Sequence, residues 1–419
     1  MNGENHIALI IKKAWLTVFA LFLFTACVEG TDNKKTEADF IPPPRDPVTV
    51  ITAGVTDPDN VLDVRQATLL RKYAESYRET LTYLKPADVR KLYLDSEGDQ
   101  AYINETAFGF LRRVRSDKDI DLTLEYMEIE YTVTGVLKRN DSVNVYLKES
   151  NTQKFRHFNE PSYTAGIIHV FTIKEDNGQW YIEKHFHEED FYLLVENVWE
   201  NRRKDLSREE KEEYVFDLLM ADAAESIRDN PSWQNNTYIP EGEFSYDRLQ
   251  AVEYVKKYWN TRNYDTVYTD YDDYGGNCQN FCSQALYAGG ISMDYSGPYT
   301  YQWKWFGEYP NEAATPYGRS YSWRGVDEFY SYATSGNTNG MVCVADRPLT
   351  MAEKGDILQF GAYNEWRHST FITDIIYDEN GELLDFAIAS NTADRLNYPA
   401  SAYAYSAVRI IHIMGEKVN

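Results

Sequence analysis

The sequence predicts an α+β chain with two folded domains, and three observations carry that expectation. A helix-period stretch at 61–84 is followed by four alternating, strand-like runs between 122 and 184. A charged helical stretch and two prolines, Pro231 and Pro240, then separate this region from the C-terminal part of the chain. After residue 244 helical spacing comes first again, followed by short β-rich runs. With 419 residues and 43% hydrophobic content, the chain is long and apolar enough for two cores plus connectors.

Lys12 and Lys13 precede a 13-residue apolar run, Ala14 to Ala26, which Cys27 follows. A charged start, a short apolar run and small residues before a cleavage point make residues 1–26 an expected secretory signal. The run falls short of the roughly 20 residues that span a bilayer. The small residues before Cys27 resemble a bacterial lipobox, with Phe24 where Leu is usual. Cys27 is therefore expected to carry lipid and hold the chain on the extracellular face of the bacterial cytoplasmic membrane. Residues 27–58 include Pro42-Pro43-Pro44 and Pro47 and show no periodicity, so they read as a flexible tether.

Residues 59–197 form the first expected module. Val61, Val64, Leu69, Leu70, Tyr73, Tyr77, Leu81 and Leu84 recur at roughly helical spacing. Strands are expected from Leu122 to Val133, Ser142 to Leu147, Ala165 to Ile173 and Trp180 to Lys184, with a turn at Asp176-Asn177-Gly178-Gln179. A helix followed by such a meander looks like the small cone-shaped modules of the nuclear-transport-factor-2-like type. Residues 198–243 are expected to be a helical linker, mostly solvated, with Tyr214, Leu218 and Leu219 as its apolar positions.

Charge removes one class of partner. At −24 overall, with no basic stripe, the chain lacks the footprint that nucleic acid requires. Metal chemistry is not expected either. A zinc site needs three or four His, Cys or acidic ligands. The cluster His185, His187, Glu188, Glu189 and Asp190 lies in the first module, where His185 and His187 read as surface residues. No cofactor is expected.

The last domain, 244–419, carries the candidate chemistry. Leu249, Val252 and Val255 share one side of a helix expected at 246–260. A second helix is expected to open at Cys278, after Gly275-Gly276-Asn277, and to end at Gly289-Gly290. Free N–H groups and the helix dipole at such a start favour a thiolate, lower the thiol pKa and offer donors to an oxyanion. Cys282, one turn on, reads as a packed core residue, and Cys343 as a strand residue. A thiolate needs a base. Of the two histidines here, His368 is expected to open a strand, whereas His412 sits inside one near the end. The base needs an orienting group; Asn391 is the first choice and Asp394 the second. Gln279, Trp303, Trp305 and Trp323 are candidates to line a substrate cleft, although a packed core is the ordinary fate of each tryptophan.

Six stretches carry a resemblance to a known family: Ser245-Tyr246-Asp247-Arg248, Gly275 to Gln284, Tyr321 to Val326, Lys354 to Phe360, His368-Ser369 and Thr392 to Pro399. In that order they resemble the putative amidase domain family, which is similar to the CHAP and NlpC-type cell-wall hydrolases. The resemblance covers about 175 residues. It implies a papain-like fold (helix packed on antiparallel sheet) and amide-bond cleavage, with Cys278 as nucleophile and His368 as base. The chain departs from the family at Asn277, where Asp is typical, and at Asn391, where His is frequent. The expected activity is that of a cysteine amidase or peptidase acting on peptidoglycan or another peptide. The alternative is an inactive, hydrolase-like binding lipoprotein of the cell envelope.

Overall fold

The computed structural model describes residues 53–223, 235–263, 268–269, 271, 276–296, 302–306, 318–336, 340–362, 365–405 and 407–418. The expected signal, Cys27 and most of the expected tether lie outside the described residues. The fold begins before residue 59. Ala53–Thr56 form strand β1, which pairs parallel with Ile129 to Thr132.

The chain is mixed α+β, as the sequence predicts. Helix α1 (Val64–Tyr83) starts at Asp63, whose carboxylate accepts the N–H groups of Arg65 and Gln66 while the Gln66 side chain accepts the Asp63 N–H. This reciprocal cap fixes the first turn. Leu84, at φ 49°, ends the helix in left-handed backbone. Helix α2 (Asp99–Ser116) was not expected, because buried Asn104, Thr106 and Arg115 interrupt its apolar face. Strands β2 (Leu124–Lys138), β3 (Ser142–Phe155), β4 (Ser162–Asp176) and β5 (Gln179–His187) then pair antiparallel in sequence order. Asn177 and Gly178 turn β4 into β5 with φ of 50° and 82°, the backbone a two-residue hairpin loop requires. Helix α3 (Asp190–Asn201) comes next, then α4 (Arg208–Ala223). The expected linker is thus partly core, since Val215 and Leu219 of α4 are buried.

The second half supplies β6 (Phe244–Ser245), α5 (Arg248–Tyr258), α6 (Cys278–Ala288), a ribbon of β7 (Trp305–Phe306) and β8 (Gly318–Arg319), α7 (Tyr321–Arg324), α8 (Val326–Thr334) and β9 (Met341–Ala345). Then come β10 (Ile357–Ala362), β11 (Glu365–Tyr377), β12 (Leu383–Ser390), β13 (Asp394–Pro399) and β14 (Ala407–Lys417). Leu249, expected on the buried side of α5, is 71% exposed; Ala251, Val252 and Val255 face inward instead.

The two expected domains share one sheet. Its order is β1-β2-β3-β4-β13-β12-β11-β10-β14-β6, with β5 also on β4 and β9 also on β14. Strand β4 makes the join. Tyr163 to Ala165 pair with Leu396 to Asp394 of β13, and from His169 onward the same edge pairs with β5. Gly166, at φ 81°, lies between the two pairings. Alternate residues of the second-half strands feed cores on opposite faces. Leu358, Ile372 and Ile388 join the core that contains α1–α3, whereas Ile357, Phe371 and Ala389 pack with α5, α6 and α8.

Two of the sequence motifs lock together. The Tyr246 hydroxyl donates to Gly355 O, and a Cβ on Gly355 (φ 90°) would stand 2.9 Å from that hydroxyl. Asp356 accepts from Arg248 and from the Ile413 N–H and contacts His412 Nδ1 at 2.6 Å. His412 is therefore a packed strand residue held by Asp356.

Candidate active site

Helix α6 begins at Cys278, and the loop before it is tied down from behind. The Asn277 N–H donates to Thr392 Oγ1 at 2.6 Å, and Asn277 Nδ2 donates to Asn391 Oδ1 at 3.0 Å. Asn277 Oδ1 accepts Asn280 Nδ2 at 2.7 Å inside the first turn. Gly276, at φ 116°, lets the chain turn into this position.

In front, α6 is fastened to the sheet. Gln279 Oε1 accepts the Ser369 hydroxyl at 2.7 Å, and Gln279 Nε2 donates to Ser283 Oγ at 3.2 Å. Gln359 of β10 donates to Ser369 Oγ at 3.2 Å and in turn accepts Arg409 Nε at 2.8 Å. Gln279 is fully buried, so it positions α6 and does not line a cleft. The backbone amide of Ser369 favours the Cys278 thiolate. The thiol therefore lies against β11 at the residue after His368.

His368 is the fourth residue of β11, not its first. Its Nε2 lies 3.3 Å from the Tyr403 hydroxyl, which also contacts Ser390 Oγ at 3.3 Å, while the Tyr403 ring stacks on Phe360 at 4.8 Å. Cys278 and His368 are each 6% exposed. Burial pushes the thiol up to about 11. The amides of Ser369 and Gln279 oppose the shift, and the charge of Asp190 adds to it. Burial first, and the charge of Arg395 second, pull His368 down to about 3. The helix start was expected to lower the thiol pKa. Here desolvation outweighs the amides and favours the neutral thiol, as it favours the neutral imidazole of His368.

Asn391 does not reach His368. Its Nδ2 donates to Trp259 O at 2.7 Å and its Oδ1 accepts from Asn277. Asp394 is engaged by Arg262 at 3.1 and 3.2 Å. The group on the imidazole is Tyr403, and no signal in the sequence singled it out: it lies four residues beyond β13 in a run of Ala and Tyr. Trp303, Trp305 and Trp323 are no more than 1% exposed. Two of the indoles donate into the back of α6, Trp303 to Ser283 and Trp323 to Asn280. They form the core that supports the helix, not a cleft. Cys282 is buried in the same core.

The first half of the chain also reaches this site. Glu189 pairs with buried Arg395, whose guanidinium lies over the rings of Tyr398 and Tyr403. Asp190 at the start of α3 is hydrogen-bonded to Tyr405, and burial raises its carboxyl pKa. His185 and His187, expected on the surface, are 2% and 1% exposed.

Residues 245–414 match the family model described as "Putative amidase domain". The chain is also similar to the "Uncharacterized protein YhbB" of Bacillus subtilis (strain 168), 26% identical over 230 residues that cover 50% of this chain and 60% of that one. The match thus spans about three fifths of the relative's length. No solved structure matches.

Proposed function

We propose that residues 244–419 act as a cysteine amidase or peptidase, with Cys278 as nucleophile and His368 as base. The observation that supports this is the seating of the Cys278 thiol, at a helix start, against the amide of the residue after His368. Nε2 of His368 is occupied by Tyr403, which leaves Nδ1 to take the thiol proton as sulfur bonds to the substrate carbonyl carbon. Backbone N–H groups at the start of α6 stabilise the oxyanion. The imidazolium then gives its proton to the leaving amine as the C–N bond breaks. Water, deprotonated by His368, hydrolyses the thioester and restores the thiol. Tyr403 holds the ring, the task expected of Asn391.

A papain-like fold and a kinship with CHAP and NlpC-type hydrolases belong to the same reading. So do export, attachment through Cys27 and a substrate in the stem or cross-bridge peptides of peptidoglycan. The two positions at which the chain departs from the family it resembles, Asn277 and Asn391, are hydrogen-bonded to each other.

Digestion of purified peptidoglycan by the wild-type chain and by Cys278→Ala, with product masses, tests this. New amine termini released by the wild type alone support it, and identical products from both refute it for this substrate. The low exposure of Cys278 and His368 favours a second reading, a binding protein on a hydrolase scaffold. In that case both chains bind the polymer equally and neither cleaves it.

A further inference from the structure

Strands β3, β4 and β5 each bring one metal-binding side chain to a common spot beneath helices α1, α2 and α3. His169 on β4 stands directly opposite His187 on β5. Its partner on β3 is Leu147, so Glu149 is its diagonal neighbour on the same face. The ligand atoms of Glu149, His169 and His187 lie within 4.8 Å of one another. The three residues are 0, 0 and 1% exposed, and the two rings are 4.1 Å apart.

The surrounding hydrogen bonds fix where the protons are. Asn104 Nδ2 donates to Gln100 O at 2.8 Å, so its Oδ1 is an acceptor. That oxygen takes the Tyr73 hydroxyl and the His185 Nδ1–H, each at 2.9 Å. A neutral His185 then presents Nε2 as a lone pair. His169 Nδ1, 3.0 Å from it, must donate. His169 Nε2 is thereby left as a lone pair pointing at Glu149 Oε2, 3.0 Å away. Two acceptors at that distance need a positive species between them, either an added proton or a metal ion.

His187 discriminates between the two. Both of its ring nitrogens are buried without a hydrogen-bond partner among the described residues. A proton shared by Glu149 and His169 leaves those nitrogens unmatched, which buried polar groups rarely are. A cation at the point of convergence gives His187 a role and uses the lone pair on His169 as well.

We infer that Glu149, His169 and His187 hold one divalent transition-metal ion of the zinc class. Two imidazoles and a carboxylate suit that class. The His169 Nδ1–H bond to His185 is the outer bond that orients a ligating histidine. The ion clamps three neighbouring strands at the centre of the first module.

Untagged full-length chain, stripped with chelator, is titrated with Zn2+ by calorimetry and with Co2+ by absorbance, beside His187→Gln and Asn104→Ala. The expected result is one Zn2+ per chain, a rise in melting temperature on loading, loss of the Co2+ bands in His187→Gln, and binding about 10–100-fold weaker in Asn104→Ala. No stoichiometric binding by the wild type, or wild-type affinity in His187→Gln, overturns the inference. Should His187→Gln fail to fold, imidazole nitrogen NMR of the wild type decides. Zinc is expected to move the His169 and His187 resonances while leaving His412 in place, and unmoved His169 and His187 resonances overturn it.

Discussion

Ser369 donates its hydroxyl to Gln279 at 2.7 Å, so the residue after the candidate base is bonded to the residue after the candidate nucleophile. Ser369→Ala leaves a buried amide oxygen with only the long 3.4 Å contact from Gln359. The expected loss is about 1–3 kcal/mol of stability, with kcat falling more than KM rises because α6 and β11 lose their register. Steady-state kinetics on the cleaved peptide checks this; an unchanged kcat would make the bridge a matter of stability alone.

Thiol reactivity depends on burial. Burial pushes Cys278 up to about 11, and burial also raises Cys282 and Cys343. Cys278, at a helix start and 6% exposed, is expected to react with iodoacetamide before the fully buried Cys282. Its rate should be low near pH 6 and climb about tenfold per pH unit toward pH 11, tracking the thiolate fraction. Peptide mapping after timed alkylation reads this directly. Fast labelling at pH 6 would show a thiolate–imidazolium pair and contradict the neutral resting state.

Acid should destabilise the fold through His368. Burial, then Arg395, holds its folded pKa near 3, whereas the unfolded chain binds that proton at about 6.5. Stability is therefore complete above about pH 6.5 and is lost as pH falls from there toward 3, by about 1.4 kcal/mol per unit from this group. Denaturant melts between pH 7 and 4 should be less steep in pH for His368→Gln than for the wild type; parallel curves would remove His368 from the effect.

Asn277 and Asn391 should be energetically coupled. Asn277→Asp removes the donor to Asn391 Oδ1 and is expected to cost about 1–3 kcal/mol. Adding Asn391→His supplies an N–H to the new carboxylate and should recover part of the loss. A double-mutant cycle with a coupling of about 0.5–3 kcal/mol is the expected reading, and strict additivity would contradict the contact.

The ion pair between Glu189 and Arg395 joins the two halves where both side chains are buried. Glu189→Gln leaves the guanidinium unpaired, at an expected cost of about 3–5 kcal/mol. Thermal melts of the variant check it, and a shift no larger than that of a surface charge mutation would place the pair in solvent.

Much of the local structure was legible because it has local causes. The helix after Asp63 arises from spacing and its cap, the turn at Asn177-Gly178 from left-handed backbone, and the helix opening at Cys278 from spacing. What escaped is non-local or inverted in polarity. Nothing in Tyr163 to Ala165 announces that Leu396 will pair there. After Val143, Val145 and Leu147, the inward positions of β3 turn polar at Glu149, Asn151 and Gln153, and those of β5 include His185 and His187. Polar residues that alternate along a strand look like a wet face when their partners lie on other elements. Here they bond to one another in the core: Asn151 to Glu149, Gln153 to Asn151, and Arg115 to Gln153 and Tyr398. The site divided in the same way. The helix start at Cys278 was visible in the sequence, whereas the partner of His368 came from Tyr403, beyond a strand and a turn.

The pairing of β13 with β4 separates inheritance from folding. The family model matches residues 245–414, and strand β4 lies outside that span. A chain cut there would carry β13 as a bare edge, open to pairing with any passing strand, and would carry Arg395 without its carboxylate. The matched segment supplies, in this protein, one side of a single continuous sheet. Exchanging the first half for an unrelated module would require rebuilding the edge as well as the linker.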